Sequence, residues 1–168
     1  YSKGNELSGK NTDSESIVRS PENGYYISFE SNNRVMFHDK LNLPGQFLPK
    51  HPDFKRLMYN DGIEALAINN TGQVYAIPEL PPKGDQFHPV YKLKEDEWSV
   101  ISYLKISEGF KVTGAEFIDN QNLILLERKF SFLDGFQIRL RRLFFEKDEI
   151  KSIQVLLESE AWEYYNLE

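Results

Sequence analysis

An antiparallel, all-β chain is the fold class this sequence predicts, and three observations carry it. Aromatic residues make up 14% of the chain, mainly 12 Phe and 9 Tyr set among Ile, Val and Leu in short runs, which is strand rather than helix composition. Clusters of Gly, Pro, Asn and Asp punctuate those runs. Three turn centres, Gly24, Gly72 and Asn120, follow one another at intervals of 48 residues. A period near ~50 residues is that of propeller blades, each a meandering sheet that cannot bury both faces alone. The predicted architecture is a set of antiparallel meander sheets forming part of a β-propeller of about three to four blades.

The elements follow in order. Residues Tyr1 to Thr12 are polar, with no periodicity, and read as a flexible N-terminal segment, leaving 13–168 as the propeller-like domain. SESIV, YYISFE and RVMFHD read as three strands, the first two joined at Pro21-Glu22-Asn23-Gly24. Pro44, Pro49 and Pro52 argue that the next stretch, 41–60, is a loop outside any sheet. IEALAI and QVYAIP form a second hairpin, and ELPPKGDQFHP a second long loop before VYKLK and WSVISYLKI. The third unit runs TGAEFI, a turn over Asp119 to Asn122, LILLERKF and FQIRLRRLFFE. The tail IKSIQVLLESEAWEYYNLE fits either a strand or a short helix.

Composition excludes several functions. A net charge of -6 offers no positive field for a phosphate backbone, so no nucleic acid partner is expected. No run approaches the roughly 18 apolar residues of a membrane span. With no Cys there is neither disulfide nor thiol chemistry. No Gly-x-Ser-x-Gly elbow is present, and His38, His51 and His88 stand apart without metal-ligand spacing. His51 and His88, beside prolines, read as surface-loop residues, the RLRRL run from Arg139 to Leu143 as a solvated strand face, and Trp98 and Trp162 as packing residues.

The acidic residues carry the functional expectation. Glu15 with Glu30 and Glu64 with Glu79 are each 15 residues apart around a turn, and Glu116 with Glu127 are 11 apart. Cross-strand partners in a hairpin have a constant index sum, which sets each pair roughly opposite at the end away from its turn. Like charges opposite one another cost roughly 0.2 to 1 kcal/mol unless neutralised. A hard divalent cation such as Ca2+ is one solution, and intercalated Arg34, Arg128 or Lys129 another; strand-end carboxylates in water are the third.

The segments DSES, GYYISFE, NRV, NDGIEALA, GQVYAIPE and GFKVTGAEFI with LILLERKFSFLDGFQIR resemble the phytase-like family, "esterase-like activity of phytase", over about Asp13 to Leu143. TGAEF followed by LLERKFS is the most specific part. The resemblance implies a propeller-like fold, ester or phosphate-ester hydrolysis, and a periplasmic or extracellular setting. Its acids fall on Glu15, Glu30, Glu64, Glu79, Glu116 and Glu127, and its Glu-Arg pair on Glu127 and Arg128; in the first unit Ser31 follows Glu30 and the base comes only at Arg34. Family members continue into an Asn-x-Glu-Gly segment, whereas here Asn166-Leu167-Glu168 ends the sequence, so the chain reads as part of a propeller.

Two functions follow as expectations. One is a metal-assisted hydrolase acting on a small anionic ester, with the acids on a cation and Arg34 and Arg128 on the substrate. The other is a noncatalytic cell-envelope propeller that binds a partner. In either case open sheet edges predict self-association.

Overall fold

The computed structural model describes residues 12–105 and 109–164. The segment expected to be flexible therefore lies outside the described residues except for Thr12, as do Asn166, Leu167 and Glu168. The described chain is all-β: twelve strands form three four-stranded antiparallel sheets, each a simple meander.

The first sheet holds β1 (Ser14–Arg19), β2 (Tyr25–Phe29), β3 (Arg34–His38) and β4 (Gln46–Phe47). Its first turn needs Gly24, whose φ of 88° is left-handed. The loop expected at 41–60 contributes β4, with Met36 opposite Phe47, because two residues between Pro44 and Pro49 remain free to pair with β3. A 3-10 turn over Pro52–Lys55 then buries Phe54.

The second sheet holds β5 (Ala65–Ile68), β6 (Val74–Ile77), β7 (Phe87–Lys94) and β8 (Glu97–Lys105), and the third β9 (Lys111–Phe117), β10 (Asn122–Ser131), β11 (Gly135–Glu146) and β12 (Glu149–Glu158). The ambiguous tail thus begins as a strand. Turns expected near Gly24, Gly72 and Gln121 close the first hairpin of each sheet. Two other hairpins turn on Glu95-Asp96 and Lys147-Asp148, with φ of 49° and 61°, and 50° and 66°. This is the geometry usually signalled by Asn-Gly, so the sequence carried no cue for it.

Sheets stack through alternating faces. Val18 of the first sheet and Leu66, Val74 and Ala76 of the second share one core, while Ala65, Ala67, Tyr75 and Ile77 of the second share another with Phe117, Leu123 and Leu125 of the third. The first strands β1, β5 and β9 are neighbours, and β5 touches both others. This arrangement is compatible with propeller blades whose first strands line the centre.

Candidate active site

The charged groups gather where the first strands begin. The bulge at Glu15, between Ser14 and Ser16, opens β1 there. It lets Asp13, Glu15 and Glu30 place carboxylate oxygens within 4.8 Å of one another. Burial, reinforced by Glu15 and Asp13, pushes Glu30 up to about 7.

Gly62 joins this cluster to the second sheet. A Cβ there would stand 2.6 Å from Glu30 Cβ and 2.9 Å from Asn33 Oδ1, so only glycine allows the approach. Asn33 Oδ1 is buried and has no hydrogen-bond partner among the described residues. Gly62 O accepts from Glu79 N at 2.9 Å, which holds Glu79 beside the cluster.

Around Glu79 the third sheet brings positive charge. Lys111, the first residue of β9, places Nζ 2.8 Å from Asp61 and 3.1 Å from Glu79, and an Arg128 amino group lies 3.8 Å from Glu79. Burial and the hydrogen bond with Asp61 push Glu79 up to about 7 against the pull of Lys111. Asp61 is held below the usual carboxylate range despite its burial, through hydrogen bonds with Lys111 and Glu79. The proton of this carboxyl pair therefore belongs on Glu79. Asp13, Asp61 and Lys111 were missed in the sequence; their only signal is proximity to the start of a first strand, with Lys111 50 residues after Asp61.

The other expected residues divide. Glu64 is half-buried directly before β5, whose ladder begins with Ala65 opposite Ile77, so Glu64 and Glu79 lie just beyond the paired residues. Glu116 and Glu127 are not opposite each other: Glu116 faces Ile124, and Glu127 faces Val112. The turn lies nearer to β9 than the index sum assumed, and a bulge beside Glu127 shifts the register again. Glu116 is exposed. Glu127 is 2% exposed, accepts from Arg139 Nε at 2.8 Å, and takes a short bond from an Arg141 amino group. Arg34 is also buried, with its guanidinium 4.0 Å from the centre of the Phe29 ring.

RLRRL is therefore not a solvated face: Arg139 and Arg141 point inward, drawn in by Glu127, with Arg139 4.0 Å from the Phe110 ring centre, and only Arg142 is exposed. Nor is His88 on a surface loop. It is buried on β7, its Nδ1 3.3 Å from Pro78 O, and burial lowers its pKa. His51 is half-buried and caps the 3-10 turn, accepting from Asp53 N. Trp98 packs in the core as expected, while Trp162 is exposed but lies against Gly135.

Repeated four-stranded meanders whose first strands begin beside a mixed acid-and-base constellation define a β-repeat domain with a charged centre. The phytase-like family model, described as esterase-like activity of phytase, matches residues 2–162, and the chain belongs to that family. Among curated proteins nothing matches it. No helix among the described residues is long and apolar enough to cross a membrane.

Proposed function

We propose that this is a propeller-type, cation-assisted hydrolase of small anionic esters, phosphate esters foremost, working in the periplasm or outside the cell. The observation that carries the reading is the side-by-side placement of an all-oxygen cluster, Asp13, Glu15 and Glu30, and a cationic pair, Lys111 and Arg128. The donors suit a hard cation such as Ca2+, and the orphaned Asn33 Oδ1 offers a neutral oxygen beside them. Bound there, the cation would supply charge compensation for an anionic ester.

The protein's own groups divide the remaining work. Lys111 and Arg128 orient and neutralise the substrate anion. Glu79 keeps a proton near neutral pH, next to the ionised Asp61, and is placed to donate it to a leaving oxygen. Glu64 borders the same centre. Glu116, on an exposed face, and Glu127, engaged by two arginines, stand outside it.

A second reading, a noncatalytic envelope binding module, is favoured by a different feature. An open cleft of about 770 Å³ lies at the turn end of the first sheet, lined by Tyr25, Tyr26, Phe37 and Asn42, away from the charged centre.

Calcium separates the two. At a hundredfold excess over Kd, a ligand that binds only the folded state adds about 2.7 kcal/mol. For a chain of this size that raises Tm by roughly 5–11 °C. Glu30→Gln should abolish the rise, and the calcium-loaded protein should hydrolyse a model phosphate monoester. An unchanged Tm in millimolar calcium, with no turnover across a panel of phosphate and carboxylate esters, would leave the binding module as the better account.

A further inference from the structure

Charge is buried in the layer between the second and third sheets. Residues two apart on a strand share a face, so Glu127 stands with Leu123 and Leu125, and Arg139 and Arg141 of β11 lie opposite Glu127 and Leu125 on that same face. Leu123 and Leu125 belong to one core cluster with Ala65, Tyr75 and Val90 of the second sheet. His88 of β7 is buried near them, within electrostatic reach of Glu127 and Arg141.

Glu127 does not satisfy the two arginines. Arg139 gives Nε to one carboxylate oxygen at 2.8 Å, and Arg141 gives Nη2 to the other. In a guanidinium Nε and Nη2 lie on one edge, which can grip an acceptor group with two parallel bonds. Each arginine therefore turns that edge to Glu127 and uses half of it. The unused halves, Arg139 Nη2 and Arg141 Nε, are buried and have no hydrogen-bond partner among the described residues. Nor has Thr113 Oγ1, on the extra residue of the β9 bulge, where Val112 faces Glu127 and Gly114 faces Leu126. All three side chains belong to residues only 5%, 6% and 5% exposed. Charge is unbalanced at the same place: Arg139 and Arg141 are two buried cations against one buried anion, and burial keeps His88 neutral. Glu158, 3.8 Å from Arg139, is half-exposed and screened by solvent. Buried donors without acceptors and a buried charge without a counter-charge both cost stability, and one ligand answers both.

We infer that this core layer holds a monovalent anion, chloride, bound by Arg139 Nη2 and Arg141 Nε beside Glu127, with the Thr113 hydroxyl as third donor. A chloride accepts from all three groups and carries the one negative charge that balances the pair. A water accepts the same bonds but leaves the excess charge, and a phosphate dianion brings more charge than the arginines have to spare. Arg128 points to the other face of β10, so the site is separate from the charged centre and independent of the hydrolase reading. Its role is to seat the third sheet on the second.

Calorimetry in EDTA at constant ionic strength reads the site when sodium chloride replaces sodium gluconate, whose anion is too large to enter. Each tenfold rise in chloride above Kd should raise Tm by about 3–5 °C, and bromide should act like chloride. Thr113→Val removes one donor and no charge, and should move the onset of that rise to about tenfold higher chloride. A crystal of the parent chain grown in bromide should show an anomalous peak within hydrogen-bonding reach of Arg139 and Arg141, a result that requires no variant to fold. Equal Tm in chloride and gluconate overturns the inference, as does a bromide crystal with peaks on the surface only. So does density at the two arginine donors that belongs to a water or to a carboxylate of the chain itself. An unchanged onset in Thr113→Val overturns the assignment of its hydroxyl as third donor.

Discussion

Replacing Glu127 by Gln tests whether that carboxylate is the counter-ion of a buried arginine pair or a ligand of the charged centre. Glu127 is 2% exposed and receives Arg139 Nε at 2.8 Å together with an Arg141 amino group. Arg139 and Arg141 are themselves buried, and Glu158, 3.8 Å from Arg139, is half-exposed and too far away to replace Glu127. An amide removes the negative charge but keeps the shape, so two guanidinium groups lose the only buried anion they have among the described residues. Breaking such a pair costs about 3–5 kcal/mol. At roughly 2–4 °C per kcal/mol for a chain of this length, Tm should fall by about 6–20 °C. Scanning calorimetry of the metal-free protein reads the fall directly, and the calcium-dependent rise in Tm should survive the substitution. Changing Glu127, Arg139 and Arg141 together to Leu, Leu and Met should bring Tm back near the parent value, since the desolvation cost of all three charges disappears. A fall of less than about 2 °C together with loss of the calcium response would refute this reasoning and make Glu127 a cation ligand.

Two further outcomes follow from the charged centre. Glu30 and Glu79 both have folded pKa values raised to about 7, so the stability they contribute is fully present below the ordinary carboxylate pKa and is lost as pH rises through 7. In EDTA, Tm should therefore fall between pH 6.5 and 8, and Glu30→Gln should flatten the slope; a level profile in the parent protein would contradict the placement of the protons. Below pH 6.5 the depressed pKa of buried His88 acts in the opposite sense, because its stabilising neutral form is lost on acidification. Gly62→Ala should lower Tm and shrink the calcium response together, since the new Cβ must displace Glu30 Cβ or the Asn33 amide. Retention of both values would show that the contact yields at no cost.

Much of the fold was legible because it depends on local features. The aromatic and β-branched runs in YYISFE and QVYAIP and the repeated turns at Gly24, Gly72 and Asn120 act over a few residues, and all of them reappear in the sheets. The site was legible only in part. Glu15 with Glu30 came together as their hairpin implied, whereas Glu116 with Glu127 did not, because an index sum cannot reveal a bulge or the tightness of a turn. In RLRRL, alternate side chains do share one face, but whether that face meets water depends on Glu127 and Phe110, which only the folded sheet brings to it. Lys111 follows the same logic: nothing beside it in sequence indicates the carboxylates of Asp61 and Glu79.

The contacts at the start of β1, β5 and β9 also bear on how the molecule opens. Glu30 against Gly62 ties the first sheet to the second, and Lys111 on Asp61 and Glu79 ties the second to the third. Meander sheets with mostly local pairing would otherwise be free to fray one at a time. Fastened at one common end, they should open as a single cooperative unit, so amide protons of Leu66 and Leu125, from different sheets, should exchange with solvent through the same rare opening and at the same rate.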